Sequence, residues 1–138
     1  MSAYRVIEIN IKNIQSIVEG LKALGIPEGE IQVYQSQVFL TDYRGQKTKN
    51  KADVVVERRT IKRLFSNPYS SDIGFEMTKD GMRVHLSDYD YWWEKKKGKF
   101  FQTAAKNDLT LLAMQNGYSV QMKQNDGEKM VLSLVRNY

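Results

Sequence analysis

Asp72-Ile-Gly-Phe-Glu-Met-Thr-Lys-Asp-Gly-Met-Arg-Val-His-Leu-Ser87 decides the fold class. Asp80-Gly81 tolerates the positive φ angles of a tight turn, and the residues on either side alternate with period two, so the stretch reads as a β-hairpin. Ile73, Phe75 and Met77 alternate with Gly74, Glu76 and Thr78, while Met82, Val84 and Leu86 alternate with Arg83, His85 and Ser87. One face of the hairpin is therefore apolar and the other polar, and the apolar face needs a cover.

Two amphipathic segments supply that cover. Ile14, Ile17, Val18, Leu21 and Leu24 recur at helical spacing before the stop signal Gly25-Ile-Pro27. Phe101, Ala105, Leu109 and Leu112, with Ala104, Leu111 and Met114 beside them, form a second helix that Asn116-Gly117 ends. Strands are expected at 4–11, 31–34, 38–42, 52–57, 118–123 and 129–135, the last two around the turn signal Asn125-Asp-Gly127. Residues 43–51 read as a polar connection. In 58–71, Ile61, Leu64 and Phe65 are compatible with a short helix broken by Asn67-Pro68, but the expected fold counts two helices without it. The expectation is an α+β domain over residues 1–138, a mainly antiparallel sheet with two amphipathic helices packed on it, in the order β-α-β-β-β-β-β-α-β-β.

A chain of 138 residues suits one domain. It has no cysteine, which removes disulfides, thiolate zinc sites, iron–sulfur clusters and cysteine nucleophiles together. No apolar run approaches the roughly 20 residues of a membrane span, and Met1–Asn10 does not read as a signal peptide, so a cytoplasmic protein is expected. His85 is the only histidine, and no nucleophile or orienting carboxylate is marked beside it. Asp88, Asp90 and Glu94 lack the spacing of a calcium loop, and Gly20 and Gly25 form no nucleotide-binding fingerprint. These absences point away from an enzyme, a metal or a cofactor.

Charge points to a partner. Between Arg44 and Arg63 stand eight basic residues (Arg44, Lys47, Lys49, Lys51, Arg58, Arg59, Lys62 and Arg63) against two acids, Asp53 and Glu57, a local charge of +6. The whole chain is +5, so the rest sums to −1, and the positive field belongs to this stretch. Backbone amides and a guanidinium in Tyr43-Arg44-Gly45-Gln46 suit a phosphate, and Lys47, Arg58, Arg59 and Arg63 extend the same chemistry. In Tyr89-Asp-Tyr-Trp-Trp-Glu-Lys-Lys-Lys-Gly-Lys99 four aromatics adjoin four lysines, which suits a base stacked on Tyr91 or Trp92 beside phosphate-binding ammonium groups. One of the two tryptophans is expected to be buried and the other more exposed. His85 on the polar hairpin face is a further candidate ligand contact.

Several landmarks also carry a family resemblance. Tyr43-Arg44-Gly45-Gln46, Ala52-Asp53-Val54-Val55-Val56, Asp72-Ile73-Gly74-Phe75, the aromatic stretch Asp88–Trp93 and Leu132-Ser-Leu-Val-Arg136 resemble the uncharacterised family of hypothetical chloroplast reading frame thirty-five, with cyanobacterial, plastid, bacterial and phage relatives. The chain departs from that pattern in carrying the basic segment Arg58–Ser71. The resemblance implies an α+β domain and no catalytic residues.

The expected function is non-enzymatic binding of a phosphate-bearing anion, a small nucleotide above all, with the two basic clusters meeting around it. In a phage such a protein would serve as a sponge for a host immune nucleotide signal. The alternatives are a single-stranded nucleic-acid binder and a protein-interaction module that docks through its basic segment. A homo-oligomer is compatible with either.

Overall fold

The computed structural model describes residues 4–125 and 130–136. Part of the expected Asn125-Asp-Gly127 turn and the first three residues lie outside them. The hairpin forms as β4 (Ile73–Thr78) and β5 (Gly81–Ser87), with Lys79 and Asp80 as its turn. Gly81, at φ +143°, opens β5, and a Cβ there would lie 2.5 Å from the Ile9 carbonyl oxygen. Around this pair the sheet grows to five antiparallel strands in the order β1-β5-β4-β3-β2, where β1 is Tyr4–Ile9, β2 Ile31–Thr41 and β3 Lys47–Val56.

Side-chain parity sets the two faces. Val54, Val56, Ile73, Phe75, Met82, Val84 and Leu86 point to one side and are buried. Three helices pack there: α1 (Ile14–Ala23) through Ile17, Val18 and Leu21, α2 (Arg58–Phe65) through Ile61, and α3 (Tyr91–Gln115) through Trp93, Phe100 and Ala104. Asp108 of α3 satisfies the start of α1, accepting hydrogen bonds from the amides of Lys12 and Asn13 at 3.1 Å each, Asn13 Nδ2 at 2.8 Å and Ser16 Oγ at 3.0 Å. Asn13 is the N-cap of α1, so these contacts fix the chain's entry into the helix.

The expected two-helix fold is corrected to three helices, in the order β-α-β-β-α-β-β-α-β-β apart from one short 3₁₀ turn at Glu28–Glu30. The added helix is α2. Its Arg58 amide is capped by the carboxylate of Asp72, fourteen residues further on, at 2.8 Å, so the signal for its start is tertiary. It ends at Ser66 in the left-handed region (φ 53°, ψ 39°), just before Asn67-Pro68. The strands expected at 31–34 and 38–42 are one strand, β2, continuous through an irregularity between Val33 and Val38. The polar connection 43–51 is largely strand as well, because β3 starts at Lys47. Its alternation is carried by lysines facing water and by Thr48 and Asn50 facing protein, a period-two pattern without apolar residues.

Both tryptophans are buried, Trp93 at 1% and Trp92 at 9% exposure, so the expected contrast between a buried ring and a more exposed one is slight. The reason is that α3 starts at Tyr91, so the aromatic stretch is its first turn rather than a solvated approach. Trp92 lies flat on Phe65 of α2, with ring centroids 4.0 Å apart. The last strands, β6 (Tyr118–Asn125) and β7 (Met130–Arg136), pair with each other in a separate two-stranded sheet. Among the described residues no helix is long and apolar enough to cross a membrane.

The far half of the β2–β3 hairpin bends back over the second face of the sheet. Leu40 and Ala52 settle onto Gly74, forming a small second cluster with Val55 that Tyr4 and Val38 border. From the far edge strand the Tyr4 hydroxyl reaches the Asp72 carbonyl at 2.7 Å and the Thr41 carbonyl at 3.2 Å. Burial first, and then the Asp72 charge, push that hydroxyl's pKa upward and keep it a donor.

Candidate functional site

The fold-back delivers the hairpin tip, residues 42–46, to the start of α2. Asp42 organises the tip. One carboxylate oxygen accepts the amides of Arg44 (2.9 Å) and Gln46 (3.1 Å), and the other accepts Nε (3.2 Å) and Nη2 (2.8 Å) of Arg44. Burial pushes the Asp42 carboxyl up, but the Arg44 and backbone hydrogen bonds together outweigh it and hold the group below its ordinary value. Arg58 joins from α2, donating Nη1 to the Asp42 carbonyl at 2.7 Å. Arg44 and Arg58 are both brought to Asp42, Arg44 to its carboxylate and Arg58 to its backbone carbonyl. The Tyr43-Arg44-Gly45-Gln46 loop closes around Asp42 with the amides that were expected to cradle a phosphate.

The same sorting applies to the rest of the basic stretch. Arg59 pairs with Glu57 at 3.3 Å, and Arg63 pairs with Glu30, whose other carboxylate oxygen accepts Thr60 Oγ1 at 3.1 Å. The Arg63 hydrogen bond is the largest cause holding Glu30 below its ordinary pKa. These two arginines thus pair with carboxylates other than that of Asp42. By contrast, among the described residues Lys47, Lys49, Lys51 and Arg58 form no ion pair. Lys47 spends one donor on the Phe39 carbonyl at 3.3 Å.

Lys47 and Arg58 share a groove of about 310 Å³ between the hairpin and the start of α2, with Tyr34, Phe39 and Thr41 along its wall. Phe39 is 49% exposed and Tyr34 partly so. Glu57 and Asp72 also line the groove, but Glu57 is paired with Arg59 and Asp72 is occupied. One Asp72 oxygen takes the Arg58 amide and the other the Thr41 amide, each at 2.8 Å. The sequence reading missed Tyr34 and Phe39. Phe39 faces Lys51 across β2–β3, with the Lys51 ammonium 5.3 Å from its ring centroid, a neighbour that only the strand register reveals.

The aromatic candidates lie elsewhere. Tyr91, 71% exposed, and Trp92 line a second groove of about 330 Å³ with Phe65, Pro68, Tyr69 and Tyr89. Tyr43 meets Tyr89 edge-on, centroids 5.3 Å apart, and Tyr69 at 6.5 Å. This groove shares no lining residue with the first. His85 belongs to neither. It is 5% exposed on the covered face of the sheet, with Nε2 2.9 Å from Glu76 Oε1 and Nδ1 3.2 Å from Asn50 Oδ1. Among the described residues no three His, Asp or Glu side chains are grouped to hold a metal. Asp88 pairs with Arg5 at 3.4 Å, Glu94 with Lys97 at 2.6 Å, and Asp90 is buried.

Asp90 carries a pH-dependent load. Burial pushes its carboxyl up to about 6 from 3.8, against hydrogen bonds from the Ser87 amide (2.6 Å) and Trp92 Nε1 (3.2 Å) and the Arg5 charge. The folded chain then binds a proton that the unfolded chain has released, so between those two values this group's contribution to stability falls as pH rises. The full effect is about 2 to 3 kcal/mol. Denaturation of wild type and Asp90→Asn at pH 4 and pH 7 should show wild type losing that much relative to the variant on going to pH 7. A pH-independent difference would contradict it.

No family model, curated protein or solved structure matches the chain.

Proposed function

We propose that this chain binds a small phosphate-bearing ligand with an aromatic base, a nucleotide, in the groove between the β2–β3 hairpin and α2, and does not transform it. Lys47 and Arg58 take the phosphate, and Tyr34 or Phe39 takes the base. The observation that carries this reading is that two cations without carboxylate partners share one groove with two accessible rings. Arg58 uses one of its five donors on the Asp42 carbonyl and is held in place by it, so its guanidinium is oriented before a ligand arrives. Non-catalytic binding is favoured because the single histidine has both ring nitrogens engaged and is enclosed by protein. Retention without turnover is what sequestering a signalling nucleotide in a host cytoplasm requires.

Isothermal titration against mono-, cyclic and ADP-ribose-type nucleotides tests this. A hydrogen-bonded charge contact contributes about 1.5 to 3 kcal/mol, so Lys47→Glu should weaken binding roughly 10- to 100-fold. Lys47 is exposed, so the variant should melt as wild type does. No heat and no melting shift with any member of the panel would sink the proposal.

A further inference from the structure

Lys47, Lys49 and Lys51 lie on one face of β3. Each is exposed, while the intervening Thr48 and Asn50 turn inward, Thr48 Oγ1 to the Leu40 carbonyl at 2.9 Å and Asn50 Oδ1 to His85. Side chains two apart share one side of a strand, so the three ammonium groups line one exposed face, and the shift in β2–β3 register between the pairs Phe39–Lys51 and Thr41–Lys47 falls within this row. The row starts at the groove, where Lys47 is a wall residue, and ends beside Phe39, which sits directly opposite Lys51. No acid interrupts it. Residues 43–52 contain no Asp or Glu, Asp42 is saturated by its own loop, and Asp53 is turned to Gln37 Nε2 (3.1 Å) and the Met77 amide (2.6 Å).

We infer that the site also takes a single-stranded nucleic acid, with one nucleotide in the groove against Tyr34 and the following phosphates along Lys49 and Lys51, where Phe39, at the groove wall, offers its ring to the next unpaired base. This rests on the nucleotide reading of the groove and extends it from a monomer to a polymer. A mononucleotide would leave Lys49 and Lys51 unused. A duplex would bury its base faces in its own stack and leave Phe39 without a partner, whereas the faces of a single strand are open to it.

The test is fluorescence anisotropy with a labelled twelve-nucleotide oligo-dT and oligo-U at 50 and 200 mM salt, beside calorimetry with the mononucleotide panel. Three proteins are compared: wild type, Lys49→Glu/Lys51→Glu and Phe39→Ala. The double variant should bind the oligomers at least 10-fold more weakly. Its slope of log K against log salt should be shallower by about 1.4, since each single-strand phosphate contact contributes roughly 0.7. Phe39→Ala should lose about 10-fold with the salt slope unchanged. Mononucleotide binding should fall far less than oligomer binding in the double variant, since neither Lys49 nor Lys51 lines the groove.

Oligomer binding that ignores Lys49 and Lys51, or a duplex of equal charge binding as tightly as the single strand, would overturn this inference. So would mononucleotide binding with no oligomer binding at 50 mM salt, although the groove would then stand as a nucleotide site. Lysine-dependent oligomer binding without any mononucleotide binding would overturn the groove reading and support the strand. Silence from both ligands would overturn both.

Discussion

Replacing Asp72 by alanine should cost about 3 to 5 kcal/mol of folding stability, a large part of the roughly 5 to 15 kcal/mol that a domain holds. The carboxylate is 7% exposed and takes two backbone amides, Thr41 at the end of β2 and Arg58 at the start of α2, each at 2.8 Å. Alanine would strand both donors where water reaches them poorly, at about 1 to 3 kcal/mol each. Asp72→Asn should fall in between, because its amide oxygen can serve one donor while its NH2 faces the other. Urea denaturation reads the change as a lower midpoint at constant slope. Since the same two amides place the hairpin tip and Arg58, nucleotide affinity should fall even where Asp72→Ala remains folded. A cost below about 1 kcal/mol would mean that Asp72 does not hold the tip.

Gly74→Val should cost a similar amount, about 4 kcal/mol, for a steric reason. A Cβ at residue 74 would stand 2.6 Å from Ala52 Cβ and 2.7 and 2.9 Å from the two Leu40 Cδ atoms. Valine adds two methyl groups to that collision, so the folded-back half of the hairpin must lift from the sheet. Overpacking of this kind costs about 1 to 3 kcal/mol and sometimes more, and the strand preference of valine, about 1 kcal/mol at most, does not offset it. The collision has a signature in a double-mutant cycle. Leu40→Ala should be less harmful in a Gly74→Ala background than in wild type, because it removes two of the atoms in the way. Additive effects would place Leu40 away from Gly74.

These two residues also show what could be read in the chain. The 72–87 hairpin, α1 and the end of α3 follow from local patterns, period two around a turn, period 3.6 before a glycine and a proline, and Gly117 at φ +79°. The third helix was hidden because its cap, Asp72, arrives from beyond the helix itself. The length of β2 was hidden by an irregularity that interrupts its pairing between Val33 and Val38. The start of β3 was hidden because its alternation is lysine against threonine and asparagine, with no apolar residue to mark the inner side.

The site was legible as charge density and illegible as charge balance. Eight basic residues announce a positive stretch, yet Arg44 is spent on Asp42, Arg59 on Glu57 and Arg63 on Glu30. Two of those acids lie within two residues of their arginines and were open to reading. Glu30 lies thirty-three residues from Arg63, and only the fold brings them together. Likewise, Tyr91 and Trp92 were paired with the cations by composition, while the structure puts them in another groove and gives Lys47 and Arg58 the rings of Tyr34 and Phe39.

The most direct test of the groove is an amide-resolved NMR titration of the full chain with AMP, a cyclic dinucleotide and ADP-ribose. The account predicts saturable shifts at Thr41, Lys47 and Arg58 and at Phe39, with Tyr69, Tyr91 and the Trp92 indole unmoved, and loss of these shifts in Lys47→Glu. Shifts confined to the Tyr69–Tyr91 groove, or none with any of the three ligands, would contradict it.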